Sequence, residues 1–275
     1  MIERFSYSDC KGAKMTGLWI LGSGSAGNAI YLSSGKARIL IDIGFGPKQL
    51  SQRLEQIGVD PKDIDAVLIS HEHTDHIRGL KVLRYHSNIA CYTNRLTAEA
   101  INDANGSLPE NLRLFSNGDA FSIGDIAINP FSVSHDAVDP VGFEILCNGM
   151  KITVATDLGF VTRLVRERMK HSDCVIVEAN HDVDLLKNDL HRPWSLKQRI
   201  LAKTGHLSNE SAGKLIAEIA HEGLKTVVLA HISRDCNTPA MARTTVEKHL
   251  AKAGRGDTPI IVADQHEVSE QIELQ

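Results

Sequence analysis

No basic excess marks this sequence. Its 30 lysines and arginines are outnumbered by 34 aspartates and glutamates, a formal net charge of −4. Binding to a polyanion would therefore need a local basic patch, because the overall balance supplies none. The cysteines are few as well. Cys10, Cys91, Cys147, Cys174 and Cys236 are widely spaced, odd in number and without a C-x-x-C pair, which argues against a disulfide framework and for a reducing compartment. No charged-then-apolar leader opens the chain, and no apolar run approaches membrane-spanning length. These absences lead us to expect a soluble, cytoplasmic protein with no membrane partner. There is no low-complexity linker and no tandem repeat either, so one domain over residues 16–275 is the simplest organisation. Residues 1–15 are polar and aperiodic, which reads as a flexible arm or as a stretch before a true start at Met15.

What is present is enough to build a large core: 42% of 275 residues are hydrophobic. Short apolar strands are expected at 17–21, 29–32 and 38–42, a helix at 47–57, then a strand at 64–70 and a helix from His76 to Tyr85. Further strands are expected at 88–92, 112–115, 120–123 and 125–133. A hairpin over 141–147 and 151–156 is centred on Asn148-Gly149, a strong turn signal. From there helices (161–170, 195–203, 208–222, 240–253) alternate with strands (174–178, 226–231, 259–263). Two β-rich blocks, each followed by helices, suggest an α/β protein with two packed sheets and helices outside.

The loop Gly22-Ser23-Gly24-Ser25-Ala26-Gly27-Asn28 contains a literal G-x-G-x-x-G. A dinucleotide fingerprint should open a helix, whereas the residues that follow are strand-like. The loop reads instead as a glycine turn whose backbone N–H groups could cradle a phosphate, with Ser25 and Asn28 as candidate substrate contacts.

The stretch His71-Glu72-His73-Thr74-Asp75-His76 is hard to explain as packing. On extended backbone, side chains at i and i+2 point the same way, so His71 and His73 can converge on one point. A turn into the following helix would swing Asp75 and His76 towards a second. Three other expected strand ends carry His135, Asp157 and His231. Scaffolds present sites at such ends, and the donors reach the count that two adjacent metal ions need. One ion would take His71, His73 and His135, the other Asp75, His76 and His231, with Asp157 bridging. Nitrogen and oxygen donors without cysteine suit zinc or manganese, and iron as well.

H-x-H-x-D-H followed by a separate His, Asp and His resembles the metallo-β-lactamase-fold hydrolases. More narrowly, residues 21–28, 71–79, 134–137 with 140–142, 155–157, 178–182, 205–209 and 231–239 resemble the YycJ/WalJ group of DNA 5′→3′ exonucleases. The resemblance spans residues 17 to 240. It implies a four-layer αββα sandwich with a dinuclear centre at one edge of its sheets. It also implies hydrolysis of DNA, preferred over RNA, by attack of a metal-bridging hydroxide on phosphorus. Asp75, Glu178 and His206 would be the catalytic residues. Glu178 at a strand end and Gly205-His206 before a helix are similar to a pair in tRNase Z enzymes thought to donate a proton. By that similarity His206 is the general acid and Glu178 orients it; the alternative is a surface carboxylate and a helix-start histidine.

His181 either lines the substrate cleft or fixes a loop. Asp42 is expected to be structural rather than a ligand, and Asp136 to orient a ligand histidine. Residues 187–203 have a basic bias around Trp194, and could track a phosphodiester backbone and stack a base or form a solvated helix face with Trp194 packed inward. Two other functions stay open: hydrolysis of a cyclic or nucleotide diester on the same fold, and a non-catalytic binding or regulatory module. The second is opposed by the retention of every ligand position.

Overall fold

A computed structural model describes residues 17–84 and 88–274; the arm expected at 1–15 lies outside the described residues. The chain starts with an antiparallel meander of β1 (Gly17–Gly22), β2 (Ala29–Ser33) and β3 (Arg38–Ile41). Parallel strands β4 (Ala66–Leu68), β5 (Ala90–Asn94) and β6 (Leu112–Phe115) complete a sheet in sequence order. The second sheet repeats that plan. Antiparallel β7 (Phe121–Ile123), β8 (Ile126–Ser132), β9 (Val141–Cys147) and β10 (Met150–Ala155) lead into parallel β11 (Cys174–Glu178), β12 (Thr226–Ala230) and β13 (Ile260–Val262). The β9–β10 turn is Asn148-Gly149, both at positive φ (58° and 76°), as a two-residue hairpin requires.

The period-2 alternation of the strands sorts their side chains into three apolar layers. Ile39, Ile41 and Leu68 of the first sheet meet Ile152, Val154, Ile176 and Val228 of the second in one core between the sheets. The intervening residues face outward. Leu40 and Val67 pack with Leu50 and Leu54 of the helix Pro47–Gln56 and Ile101 of the helix Arg95–Asn105. Val175, Val177 and Leu229 pack with Val165, Leu215, Ile216 and Val246 of three other helices. Helix, sheet, sheet, helix is the four-layer αββα sandwich. Among the described residues no helix is long and apolar enough to cross a membrane.

Three local expectations differ from the structure. The strand expected at 64–70 pairs only over Ala66–Leu68, and its continuation is extended but unpaired. The helix expected from His76 is α-helical only over Thr74–Ile77 and then 3₁₀ over Arg78–Arg84. The cause is at Gly79, whose N–H donates to Ile43 O at 2.7 Å instead of to its own turn. A Cβ at Gly79 would lie 2.5 Å from Phe45 O, so only glycine allows that approach. A short helix at Val183–Asn188 carries too few residues to show periodicity; Asp182 caps it by accepting from Asp184 N and Leu185 N.

The strands of the two sheets that carry candidate donors end at a common edge. Asp42 follows β3, His71 lies just beyond β4, His135 beyond β8, Asp157 beyond β10, Glu178 closes β11 and His231 follows β12. Asp42, Asp157 and His231 all sit at positive φ (60°, 54° and 54°). Left-handed backbone at non-glycine residues is uncommon, and concentrates where the surroundings enforce it. Here it ends three strands and turns their last side chains to one place.

Candidate metal centre

His71 Nε2 and His73 Nδ1 are 3.1 Å apart, and His135 Nε2 is 3.2 Å from His73 Nδ1. Ligand atoms on a tetrahedral zinc with Zn–N of about 2.0–2.1 Å stand roughly 3.3 Å apart, so this triad has the spacing of a single cation's ligands. Asp157 lies between it and the remaining donors. Its Oδ1 is 3.6 Å from His135 Nε2 and 3.1 Å from His231 Nδ1, and its Oδ2 is 2.9 Å from His76 Nε2. Asp75 Oδ2 closes the second group at 3.6 Å from His76 Nε2 and 3.8 Å from His231 Nε2. All seven expected donors therefore meet, with Asp157 between the two groups.

The fit to cations shows in what the other ring nitrogens do. His76 Nδ1 is 2.7 Å from Asp42 Oδ2, and His71 Nδ1 is 3.0 Å from Ser70 Oγ. His135 Nδ1 donates to Gly205 O at 3.1 Å, and His231 Nδ1 is 2.8 Å from Glu178 Oε1. Each of these four rings is thus tied at Nδ1, which fixes its tautomer and leaves Nε2 for a ligand. Asp157 Oδ2 is buried and lacks a hydrogen bond of good alignment despite the 2.9 Å approach of His76 Nε2. A buried carboxylate oxygen without a well-aligned hydrogen bond, facing the nitrogen of His76, suits a shared cation. Divalent metal ions fit the donor set.

Burial and charge act on the same groups. Burial holds His71 and His135 below the ordinary imidazole value, keeping them neutral as ligands should be. Burial also opposes the charged forms of His76 and His231, but the carboxylates of Asp42 and Asp157, and of Asp157 and Glu178, outweigh it and raise both. Asp42 has the structural part expected of it: it is the acceptor that holds His76, and it also takes Ser70 N–H and Oγ–H, each at 2.8 Å. Asp42→Asn is expected to weaken metal binding by about 10–100-fold, read by competition with a chromophoric chelator. An unchanged affinity would show that the His76 ring needs no such anchor.

Glu178 is 0% exposed, which removes the surface-carboxylate alternative. Its Oε1 is 2.7 Å from His206 Nδ1 and 2.8 Å from His231 Nδ1; its Oε2 accepts from Leu158 N and Leu207 N, both at 2.9 Å. Burial would raise this carboxyl, yet the two imidazoles hold it down at about 2. His206 is part-exposed and lines a cavity of about 350 Å³ together with His73, Asp75, His135, Asp157 and His231. With Nδ1 committed to Glu178, its Nε2 is the nitrogen left to meet a substrate.

The substrate contacts are redistributed. Ser25 lines the cavity. Asn28 does not; it is buried, accepting from Ser23 Oγ and Gly24 N and placing Nδ2 3.2 Å from Asp75 Oδ2. Its job is to hold a ligand. Little of the phosphate cradle expected of this loop is left, because most of its N–H groups are already used. Ser23 N donates to Asp264 O, Ala26 N to Gln265 Oε1, Gly27 N to Gly24 O and Asn28 N to Asp75 O. Asp136 orients no histidine; it pairs with Arg199 Nε at 2.7 Å on the cavity rim. In the basic stretch, Arg192, Leu196, Arg199 and Ile200 face the cavity, whereas Trp194 is 59% exposed and off its wall. Lys197 is buried, donating Nζ to Lys187 O and Asp189 O. Arg234 also lines the cavity and is absent from the expected set; its signal in the sequence is a cation three residues past a strand-end histidine.

His181 is 1% exposed, absent from the cavity wall, and has no hydrogen-bond partner for Nδ1 among the described residues. Burial pushes it down to about 4. An unfolded imidazole titrates near 6.5, so between pH 6.5 and 4 the unfolded chain binds a proton the folded one refuses. Stability from this group is full above pH 6.5 and falls as pH drops through that window, by up to about 3 kcal/mol. His181→Leu is expected to flatten the fall in melting temperature from pH 6.5 to 4; an unaltered slope would contradict this.

Fold and centre together define a class. Residues 37–232 match the family model described as the Beta-lactamase superfamily domain, and the chain belongs to the metallo-β-lactamase superfamily. Exodeoxyribonuclease YycJ of Bacillus anthracis is 35% identical over 238 residues, covering 86% of this chain and 90% of that protein. Exodeoxyribonuclease WalJ of Streptococcus pneumoniae is 36% identical over 240 residues, covering 86% and 89%. These matches set the chain in the YycJ/WalJ-like group of the superfamily. Among solved structures, the metallo-β-lactamase fold protein YhfI from Bacillus subtilis superposes with a TM-score of 0.69 at 17% identity, covering 92% of this chain and 99% of that one. At that identity the likeness speaks for the fold.

Proposed function

We propose that this chain is a cytoplasmic, metal-dependent 5′→3′ exonuclease that hydrolyses phosphodiesters of DNA. The observation that carries the reading is the meeting of seven nitrogen and oxygen donors, Asp157 among them, with His206 on the same cavity and Glu178 behind it. Kinship with two exodeoxyribonucleases supports the choice of substrate, and the thiols of Cys91, Cys174 and Cys236 suit a reducing compartment.

His71, His73 and His135 would hold one divalent cation and Asp75, His76 and His231 the second, with Asp157 shared; zinc and manganese suit these donors, and iron is admitted. When bound, a pair of such ions supplies an activated water and neutralises charge on the phosphoryl oxygens. The protein's own part is to complete the displacement. As the bond from phosphorus to the 3′-oxygen breaks, that oxygen needs a proton, and His206 Nε2 would give it. Glu178 positions the ring and balances its charge at Oε1, while the Leu158 and Leu207 amides fix Oε2 so that the carboxylate cannot rotate away.

The volume of about 350 Å³ also lies in the range of small-ligand sites, about 300–1,000 Å³, which favours a small diester as the second reading. Turnover of 5′-phosphorylated oligonucleotides and of bis-p-nitrophenyl phosphate separates the two. We expect mononucleotides released successively from the 5′ end; cleavage of the small diester alone would reject the exonuclease.

A further inference from the structure

A second concavity, of about 680 Å³, borders the loop that carries the metal donors. His73 and Asp75 line the cavity of the metal centre, and the residues that alternate with them, Glu72 and Thr74, line this cleft. One wall is the 3₁₀ segment Arg78–Arg84, which contributes Arg78, Leu80 and Lys81. The other is the stretch 104–110, with Leu108 and Glu110. Centre and cleft therefore share a rim.

The first wall places cations in a row. In a 3₁₀ helix side chains three residues apart eclipse each other, about 6 Å apart along the axis, so Arg78 and Lys81 stand on one line. Gly79 favours that geometry by donating its N–H to Ile43 O rather than to its own turn. Both basic residues are exposed, and among the described residues neither pairs with a carboxylate. Arg78 Nη1 donates to Ala26 O at 2.8 Å, next to Ser25 on the wall of the metal cavity. The guanidinium keeps further N–H groups to offer. Of the two carboxylates at the cleft, Glu72 is engaged elsewhere: its Oε1 accepts from Val138 N at 2.8 Å and its Oε2 is buried. Glu110 belongs to the other wall. The exposed row is cationic.

The exonuclease reading gives this row an occupant, and the inference rests on that reading. His206 stands beside His135 and His231, with ring centroids 5.2 and 5.1 Å away, so the leaving nucleotide belongs at that flank of the centre. The strand on the other side of the scissile phosphate must depart past a different flank. The metal cavity, at about 350 Å³, has the size of a small-ligand site, and a polymer needs a track beyond it. The cleft adjoins the centre at His73 and Asp75, and it offers what a single strand requires: cations for the backbone beside apolar surface at Leu80 and Leu108. We propose that the single strand 3′ of the cut runs through this cleft, with Arg78 and Lys81 on successive phosphates.

The test compares kcat/KM of the metal-loaded enzyme on a 5′-phosphorylated dinucleotide and a 5′-phosphorylated octanucleotide. Metal content and melting temperature check that each variant is folded. Wild-type enzyme is expected to favour the octanucleotide by about 10-fold or more, the scale of one charge-assisted contact. Lys81→Glu should erase most of that advantage through KM. Lys81→Ala should also flatten the salt dependence of KM for the octanucleotide, by a log–log slope of about 0.7 for one lost single-strand phosphate contact. Lys81→Arg should keep both the advantage and the slope. Equal wild-type values on the two lengths, or a Lys81→Glu enzyme that keeps the wild-type ratio, would overturn the inference and leave the exonuclease standing. A wild-type enzyme that cleaves neither oligonucleotide would sink both.

Discussion

Glu178→Ala is expected to lower stability by about 3–5 kcal/mol and turnover by about 10²-fold or more. The carboxylate is fully buried and both its oxygens are engaged: His206 and His231 at Oε1, the Leu158 and Leu207 amides at Oε2. Truncation leaves two amides and two imidazoles without an acceptor in a place water does not reach, and such orphans carry the full desolvation penalty. Glu178→Gln preserves shape and one carbonyl oxygen. It is expected to recover much of the stability and little of the turnover, because the amide cannot serve both amides and both rings. Chemical denaturation of the metal-loaded protein, paired with steady-state kinetics, reads the two effects separately. If Glu178→Ala stayed within about 1 kcal/mol of wild type and kept its turnover, the pairing with His206 would be incidental.

Asp157→Ala should abolish activity more completely than any other single change, by about 10³-fold or more, since several kcal/mol of transition-state stabilisation depend on both cations sitting together. Asp157 has oxygens towards both donor groups, Oδ1 at 3.6 Å from His135 Nε2 and Oδ2 at 2.9 Å from His76 Nε2. Metal analysis of the purified variant should show less than the wild-type stoichiometry. Full metal content together with full activity would mean that Asp157 bridges nothing.

The donors of this centre are legible in the sequence because metal chemistry restricts residue type and strand ends restrict place. Seven residues of the right kind at ends of apolar runs leave little room for a packing role. Their supports are not legible, since they depend on contacts distant in sequence. The Glu178–His206 pair is expected only through its similarity to tRNase Z enzymes, and nothing near Glu178 announces that the same oxygen will also hold His231, 53 positions away. Nothing local shows that Asn28 will reach Asp75 across 47 positions. The glycine loop misleads for a related reason: its composition advertises free N–H groups, but Asp264 and Gln265 from the far end of the chain consume two of them. The αββα layering follows from alternation in the strands. Helix ends are harder to place where a tertiary acceptor such as Ile43 O competes with the helix's own turn.

The claim on which the rest depends is that two cations share this pocket across Asp157. Anomalous diffraction from crystals of the manganese-loaded protein tests it most directly. Two peaks about 3.5–4 Å apart are predicted, one against His71, His73 and His135 and the other against Asp75, His76 and His231, with Asp157 between them. A single peak, or peaks elsewhere on the chain, would contradict it.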